Sequence, residues 1–121
     1  MRFLIVDDSA LARRLVRRTL EDNAEGRTFD IIEASNGEEA KHRLQEKSVD
    51  LVIVDWNMPV LDGLSFVKDL RAQGLVLPVV MISAVSEEES IHEAVLAGVT
   101  DYIEKPIQGQ ELWNRIKRHV K

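Results

Sequence analysis

Five short runs of apolar and mostly β-branched residues divide the chain at nearly regular intervals. They cover residues 3–6, 29–32, 51–54, 79–82 and, more weakly, 102–103, and their first residues lie roughly 25 positions apart. Near-continuous apolar runs such as these are typical of strands buried on both faces, which occur in parallel sheets that helices cover. The pattern therefore predicts a parallel sheet built from successive strand–helix units.

Helical periodicity fills the segments between these runs. Ser9, Asn36 and Ser86 can cap three of the helices, and Gly63 can begin another. The apolar residues at helical spacing, which we expect to face the core, are Leu11, Leu15, Val16, Leu20, Ala40, Leu44, Phe66, Val67, Leu70, Ile91, Ala94, Val95, Leu112, Ile116 and Val120. The predicted fold is α/β: a doubly wound (βα)5 arrangement with a five-stranded parallel sheet and right-handed crossovers.

Composition narrows the class of protein further. The chain has 121 residues, the length of one ordinary domain, and contains no cysteine, which excludes a disulfide scaffold, a thiolate metal site and a thiol nucleophile. The net charge of −5 argues against a nucleic-acid partner. No apolar run is long enough to cross a membrane or to act as a secretion signal. We expect one cytoplasmic domain over residues 1–121 with no membrane partner.

Polar residues follow four of the five predicted strands at the same end. Asp7 and Asp8 follow the first strand, Asp55 the third and Ser83 the fourth, and Lys105 comes just after the fifth. Each of them alone has an ordinary explanation as a turn, cap or surface residue. In open α/β sheets, however, ligands bind outside the carboxyl ends of the strands. We therefore expect these side chains to share one pocket.

Three carboxylates in one pocket repel each other unless a cation joins them. Mg²⁺ fits, because it takes one or two carboxylates together with phosphate oxygens. The lack of a convergent His pair or of any Cys disfavours zinc and copper. Lys105 and Ser83 suit an anion with several oxygens. Asp55, which ends the central strand, is the candidate nucleophile for an aspartyl phosphate.

Four segments carry a family resemblance: LIVDDS at 4–9, DWNMPVLDG at 55–63, MISA at 81–84 and DYIEKP at 101–106. With these segments in this order, the chain resembles a response-regulator receiver domain of two-component signal transduction, closest to the stand-alone chemotaxis, CheY-like, type. The resemblance covers essentially the whole chain. It implies the flavodoxin-like strand order 2-1-3-4-5.

The resemblance implies specific roles at the acidic pocket. Asp55 would accept a phosphoryl group from a phosphohistidine on a sensor histidine kinase or a phosphotransfer protein. Asp8 and Asp55 would ligate Mg²⁺ through carboxylate oxygens, Asn57 would do so through its backbone carbonyl, and Asp7 would hold a metal-bound water.

The resemblance also implies a switch. Lys105 would contact the phosphoryl group, and Ser83 would turn to hydrogen-bond it. Tyr102 would move inward with Ser83, and the Lys105–Pro106 peptide bond would be cis. Ser83 stands where the family more often has Thr, which keeps the hydroxyl. Val85 and Asn57 lie where members vary, and we expect them to tune dephosphorylation.

The implied output is a protein contact on the face formed by helix 4, strand 5 and helix 5. The protein would be a monomer that catalyses only its own phosphorylation and dephosphorylation, and a separate phosphatase is a possible partner. Because the predicted fifth helix runs to Lys121, we expect no output domain. Chemotaxis is the expected pathway, and a single-domain phosphorelay intermediate is the alternative.

Two other classes of function stay open from the residues. A small Mg²⁺-dependent phosphatase with an Asp nucleophile would need a second Asp two residues after Asp55, where this chain has Asn57. A flavodoxin-like mononucleotide binder would need a Gly-rich or Ser/Thr-rich phosphate loop after the first strand. This chain has Asp7, Asp8 and Ser9 there, and the carboxylates would repel a phosphate.

Some charged residues of the predicted helices are expected to be solvated. The first helix carries a basic stripe of Arg13, Arg14, Arg17 and Arg18, beside the apolar positions Leu11 and Leu15. We interpret the stripe as a surface face, with a docking surface for an acidic kinase or phosphatase as the alternative. The three His residues lie on separate predicted helices without the spacing of metal ligands, and we interpret them as surface residues.

Overall fold

The computed structural model describes residues 1–120 and has one parallel five-stranded sheet in the order 2-1-3-4-5. The strands are β1 Arg2–Val6, β2 Asp30–Ala34, β3 Leu51–Asp55, β4 Val79–Ser83 and β5 Asp101–Glu104. The helices are α1 Ala10–Asp22, α2 Gly37–Glu46, α3 Gly63–Ala72, α4 Glu88–Ala97 and α5 Gly109–Ile116, and a 3₁₀ turn follows at Lys117–His119. The predicted (βα)5 fold class is confirmed. Lys121, where the fifth helix was predicted to end, lies outside the described residues.

Each strand supplies side chains to both faces of the sheet. On one face, alternate residues such as Val52 and Val54 pack with α2, α3 and α4 around Phe66. On the other face, residues such as Ile53 pack with α1 and α5 around Leu112. Strands β3 and β4 are buried over their full length. Helices on both faces explain why these strands read as unbroken apolar runs.

Helix α1 packs differently from its predicted orientation. Leu11 and Leu15 were expected in the core but are 64% and 51% exposed, whereas Val16 and Leu20 are buried. Leu11 lies five residues before Val16, and Leu15 lies five residues before Leu20. Five residues correspond to a rotation of about 140° around a helix. Only the stripe of Val16 and Leu20 can face the sheet, so Leu11 and Leu15 point to solvent.

The later helices also depart from prediction at three points. Helix α4 begins at Glu88 with Glu87 as N-cap, one residue later than a cap at Ser86 implies. Val95, predicted to face the core, is 55% exposed, because Ala94 takes the buried position of that turn. Helix α5 ends at Ile116, so Val120 follows the 3₁₀ turn in extended backbone and does not continue the helix.

The loops at the carboxyl ends of β1 and β3 are held by local caps. Ser9 accepts a hydrogen bond from the Ala12 amide and starts α1, and Asp62 accepts one from Ser65 and starts α3. Gly63 N–H donates to the Trp56 carbonyl at 2.8 Å. A Cβ on Gly63 would come within 2.2 Å of the Asp55 carbonyl oxygen, so this close return of the chain requires glycine. These contacts place Asp55 at a fixed position beside the β1–α1 loop.

Candidate functional site at the carboxyl edge of the sheet

Three carboxylates meet where β1 and β3 end. One oxygen each from Asp7, Asp8 and Asp55 can be chosen so that all three lie within 4.8 Å of one another. Asp7 and Asp55 are only 6% and 5% exposed, whereas Asp8 faces solvent. The convergence predicted from the strand ends is therefore present in the fold.

Lys105 brings a positive charge to the same pocket. Its Nζ lies 3.3 Å from Asp55 Oδ1 and 3.9 Å from Asp7 Oδ2. Its backbone amide donates to the Ser83 carbonyl at 2.8 Å, and the Lys105–Pro106 peptide bond is cis, as predicted. The side chain thus reaches the carboxylates from a backbone tied to the end of β4.

Burial raises the pKa of both Asp7 and Asp55 above the ordinary value. Lys105 acts in the opposite direction on Asp55, and so does the Ser9 amide on Asp7, but neither offsets the loss of hydration. The neighbouring carboxylates add repulsion. The pocket is therefore short of positive charge, which is the condition that a bound cation relieves.

The donor set of the pocket suits a hard divalent cation. Asp7, Asp8 and Asp55 offer only oxygen, and no His or Cys belongs to the cluster found among residues 1–120. Oxygen ligands of this kind are those that Mg²⁺ takes in proteins. Asn57 lies in the exposed loop two residues after Asp55, and its predicted part in metal binding stays a prediction.

Ser83 and Tyr102 meet at the main chain of Val85. The Ser83 side chain is fully buried, and its Oγ accepts a hydrogen bond from the Val85 amide at 3.0 Å. The Tyr102 hydroxyl donates to the Val85 carbonyl at 2.5 Å, and its ring lies edge-on to Trp56 with centroids 6.3 Å apart. Sequence reasoning considered only the side chain of Val85, whereas the structure uses its backbone to connect the two residues.

Sequence reasoning missed the part that Arg13 plays beside this pocket. Its Nη1 donates to the Asp7 carbonyl at 2.6 Å, and its Nε donates to Glu33 at 2.9 Å. The stripe was interpreted as solvated, yet Arg13 and Arg17 are both partly buried against Glu33. Helical spacing holds the missing signal, because Arg13 lies three residues before the buried Val16.

His119 also differs from its predicted surface position. It is half-buried, and its Nε2 lies 3.2 Å from Asp101 Oδ2, at the opposite end of the sheet from the acidic pocket.

No helix among residues 1–120 is both long and apolar enough to cross a membrane.

Known proteins resemble this chain in sequence and in structure. A sequence profile for the response regulator receiver domain matches residues 3–117. Chemotaxis protein CheY-3 of Vibrio cholerae is 38% identical over 120 residues, which are 98% of this chain and 90% of that protein. The phosphate regulon transcriptional regulatory protein PhoB of Escherichia coli is 37% identical, and the match covers 96% of this chain but 50% of that protein.

Solved structures give the same result. The receiver domain of the Francisella response regulator 1452 aligns with a TM-score of 0.89 and 31% identity, over 98% of this chain and 94% of that one. The chemotaxis response regulator CheY4 of Vibrio cholerae aligns with a TM-score of 0.87 and 31% identity, over 98% of each chain. Similarity therefore extends across the complete sheet and the edge that carries the carboxylates.

Proposed function

The chain belongs to the response-regulator receiver family of two-component signalling, and from this premise we propose that Asp55 is its phosphoryl acceptor. The donor is a phosphohistidine on a sensor histidine kinase or on a phosphotransfer protein. The observation that carries the proposal is the pocket in which Asp55 lies 3.3 Å from Lys105 Nζ and within one cluster with Asp7 and Asp8.

Each side chain of the acidic pocket has a separate role in the proposed phosphoryl transfer. A carboxylate oxygen of Asp55 attacks phosphorus, the phosphorus–nitrogen bond breaks, and its electron pair returns to the imidazole nitrogen. Lys105 offsets the charge of the phosphoryl oxygens. Asp8, Asp55 and the Asn57 carbonyl would hold Mg²⁺, with Asp7 acting through a water. When bound, the ion would supply positive charge that stabilises the phosphoryl oxygens.

Ser83 and Tyr102 supply the switch in this proposal. We expect the Ser83 hydroxyl to leave the Val85 amide and donate to a phosphoryl oxygen. The Tyr102 hydroxyl bonds the carbonyl of the same residue, so a shift of this loop changes the environment of the tyrosine ring. A hydroxyl and an aromatic ring that share one backbone residue form a two-state element that a new charge can bias.

We propose chemotaxis or motility as the output, because the chain matches CheY-3 over 90% of that protein's length. The downstream protein binds the face formed by α4, β5 and α5. The protein acts as a monomer and catalyses only its own phosphorylation and dephosphorylation, and a phosphatase is a further possible partner.

Incubation with Mg²⁺ and acetyl phosphate, followed by intact-mass measurement, tests the assignment of Asp55. The expected product carries a single phosphoryl group and is absent for Asp55→Asn. The matched control is Asp101→Asn, which removes another partly buried carboxylate at the far end of the sheet and should keep the adduct. An unmodified wild-type protein, or an adduct that persists in Asp55→Asn, would contradict the proposal.

A further inference from the structure

Arg13 joins three elements that meet beside the acidic pocket. Its guanidinium donates through Nη1 to the Asp7 carbonyl at 2.6 Å and through Nε to Glu33 Oε1 at 2.9 Å. Asp7 directly follows β1, Glu33 lies on β2, and Arg13 itself lies on α1. The arginine side chain is 19% exposed. A planar guanidinium with donors in a fixed geometry is suited to such a bridge.

Glu33 fixes the direction of this guanidinium. Its second oxygen accepts two hydrogen bonds from Arg17, from Nε at 3.0 Å and from Nη2 at 2.8 Å. Burial acts to raise the pKa of Glu33, but the hydrogen bonds from Arg17 and Arg13 outweigh it and hold that pKa below the ordinary value. Glu33 is therefore an ionised acceptor between the two arginines at neutral pH.

The Asp7 carbonyl belongs to the peptide group that links Asp7 to Asp8. The orientation of this peptide decides where both carboxylates point, because it lies between their two Cα atoms. Two other bonds hold the same turn: the Asp7 amide donates to the Ala34 carbonyl, and the Ser9 amide donates to Asp7 Oδ1 at 2.9 Å. Arg13 supplies the bond to the remaining carbonyl.

We propose that Arg13, oriented by Glu33, is a positioning residue that holds the Asp7–Asp8 peptide so that both carboxylates face the bound cation. The inference rests on the proposed function of the acidic pocket and concerns two residues, Arg13 and Glu33, that would hold its metal ligands in place. Groups that orient metal ligands typically change metal affinity by about 10-fold to 100-fold when they are lost.

Arg17 allows a matched control for this role. It lies on the same helix and binds the same glutamate, but its other hydrogen bond goes to the Ile31 carbonyl and not to the Asp7–Asp8 turn. A purely structural role, fastening α1 to β2, predicts equal effects for the two arginines. A positioning role predicts that only Arg13 affects the cation site.

The test compares Arg13→Met and Arg17→Met, which keep an apolar stem but remove every donor. Mg²⁺ affinity is measured by titration calorimetry, hydrogen exchange of the Ser9 amide is measured without metal, and stability is measured by urea unfolding. Arg13→Met should weaken Mg²⁺ binding about 10-fold and speed exchange at Ser9. Arg17→Met should lower stability to a similar extent and leave both other quantities at the wild-type values.

A third variant tests whether Glu33 and Arg13 act as one unit. Because Glu33 acts through Arg13, Glu33→Gln alone should also weaken Mg²⁺ binding, and the double change Arg13→Met/Glu33→Gln should weaken it no further than Arg13→Met alone. If Arg13→Met does not fold, Arg13→Lys takes its place. A lysine can bond either Glu33 or Asp7 but not both in the fork geometry, so affinity should fall by less than 10-fold but measurably.

The outcomes separate this inference from the proposed function. Wild-type Mg²⁺ affinity in Arg13→Met, or an equal loss in Arg17→Met, would overturn the positioning role and leave the assignment of Asp55 intact. A wild-type protein that fails to bind Mg²⁺ would instead count against the proposed function. The Ser9 exchange rates, which need no metal, would then still decide whether Arg13 orders the turn.

Discussion

Acidic residues at the two ends of the sheet have opposite electrostatic surroundings. At the amino end, Asp30 receives a 2.6 Å hydrogen bond from Arg2, and Asp101 lies within 4 Å of the guanidinium groups of Arg115 and Arg118 and 3.2 Å from His119 Nε2. At the carboxyl end, Asp7, Asp8 and Asp55 form one cluster, and within residues 1–120 the ammonium group of Lys105 is the one cation that pairs with it, through Asp7 and Asp55. Negative charge is thus neutralised locally at one end and left in excess at the other.

This difference shows in the proton affinity of the carboxylates. The hydrogen bond from Arg2 lowers the pKa of Asp30, whereas burial raises the pKa of Asp7 and Asp55. Ionised Asp30 therefore contributes to the stability of the fold, while the buried carboxylates of Asp7 and Asp55 oppose it until a cation arrives. Local instability of this kind is expected at a functional site, where residues are arranged for a ligand and not for the empty protein.

The largest expected effect comes from Mg²⁺ itself. A cation that binds the folded chain alone should raise the free energy of unfolding by about 2.7 kcal/mol at a concentration 100 times its Kd. Urea unfolding with and without Mg²⁺ measures the change. Asp8→Asn should lose most of the gain, and Asp101→Asn should keep it. The contrast between the two ends would be contradicted if Mg²⁺ raised the free energy of unfolding of Asp8→Asn as much as that of the wild type. It would also be contradicted if Asp8→Asn and Asp101→Asn lost the same share of the gain.

Removing one carboxylate at each end should change metal-free stability in opposite directions. Asp55→Asn relieves a buried and poorly compensated charge, so the free energy of unfolding should rise by about 1 kcal/mol, the usual size of a single-substitution effect. Asp101→Asn leaves cationic side chains without their partner and should lower it by about 1 kcal/mol. Denaturant unfolding in the presence of a metal chelator measures both. Effects of the same sign in the two variants would contradict the comparison.

The pH dependence of two further variants sharpens the same point. Because the pKa of Asp7 is raised in the folded protein, its ionisation costs stability as the pH rises above the ordinary Asp value. The gain from Asp7→Asn should therefore grow as the pH rises from about 4 through the raised pKa of Asp7, and it should vanish below about pH 4.

Asp30 should show the opposite dependence. Its lowered pKa means that ionised Asp30 adds stability above the ordinary Asp value, and this contribution disappears as acid protonates it. The loss caused by Asp30→Asn should thus be present at pH 7 and absent below its folded pKa. Urea titrations of the metal-free variants from acid to neutral pH measure the free energy of unfolding. If its change relative to wild type followed the pH in the same direction for Asp7→Asn and Asp30→Asn, the opposite pKa shifts of the two residues would be refuted.

Much of the site could be predicted because parallel strands share one direction. Residues that follow separate strands, such as Asp7 and Asp55, meet at one edge whatever the details of packing. Local signals identified two of the three predicted caps, since Ser9 and Asn36 accept the expected hydrogen bonds from the amides of Ala12 and Glu39, whereas Glu87 and not Ser86 is the N-cap of α4. The order of the strands came only with the family resemblance, because the spacing of apolar runs does not tell which strands are neighbours.

The failures on α1 have a common cause. Periodicity identifies which residues share a stripe, but it does not decide which of two stripes faces the sheet. Leu11 and Leu15 form one stripe and Val16 and Leu20 the other, and tertiary packing selects the second. The same rotation carries Arg13 to the Asp7 carbonyl, a contact that also depends on β2 lying beside β1.

The smallest predicted effect concerns backbone strain at the carboxyl end. Val60, in the loop between β3 and α3, has a φ of 70° and is 79% exposed, so a β-branched residue occupies the left-handed region without burying its side chain. That conformation costs an L-residue roughly 1 to 2 kcal/mol, and Asn tolerates it better. Val60→Asn should therefore raise the free energy of unfolding by about 0.5 to 1 kcal/mol.

Val76 provides the control at the amino end of the strands, because it is 89% exposed in the loop before β4 and lacks a positive φ. Val76→Asn exchanges the same side chains on exposed backbone without relieving left-handed strain, so its stability should stay within about 0.5 kcal/mol of wild type. Urea unfolding of both variants measures the difference. A gain in Val60→Asn that is no larger than in Val76→Asn would show that the loop beside Asp55 stores no strain, and the contrast between the two ends would then rest on charge alone.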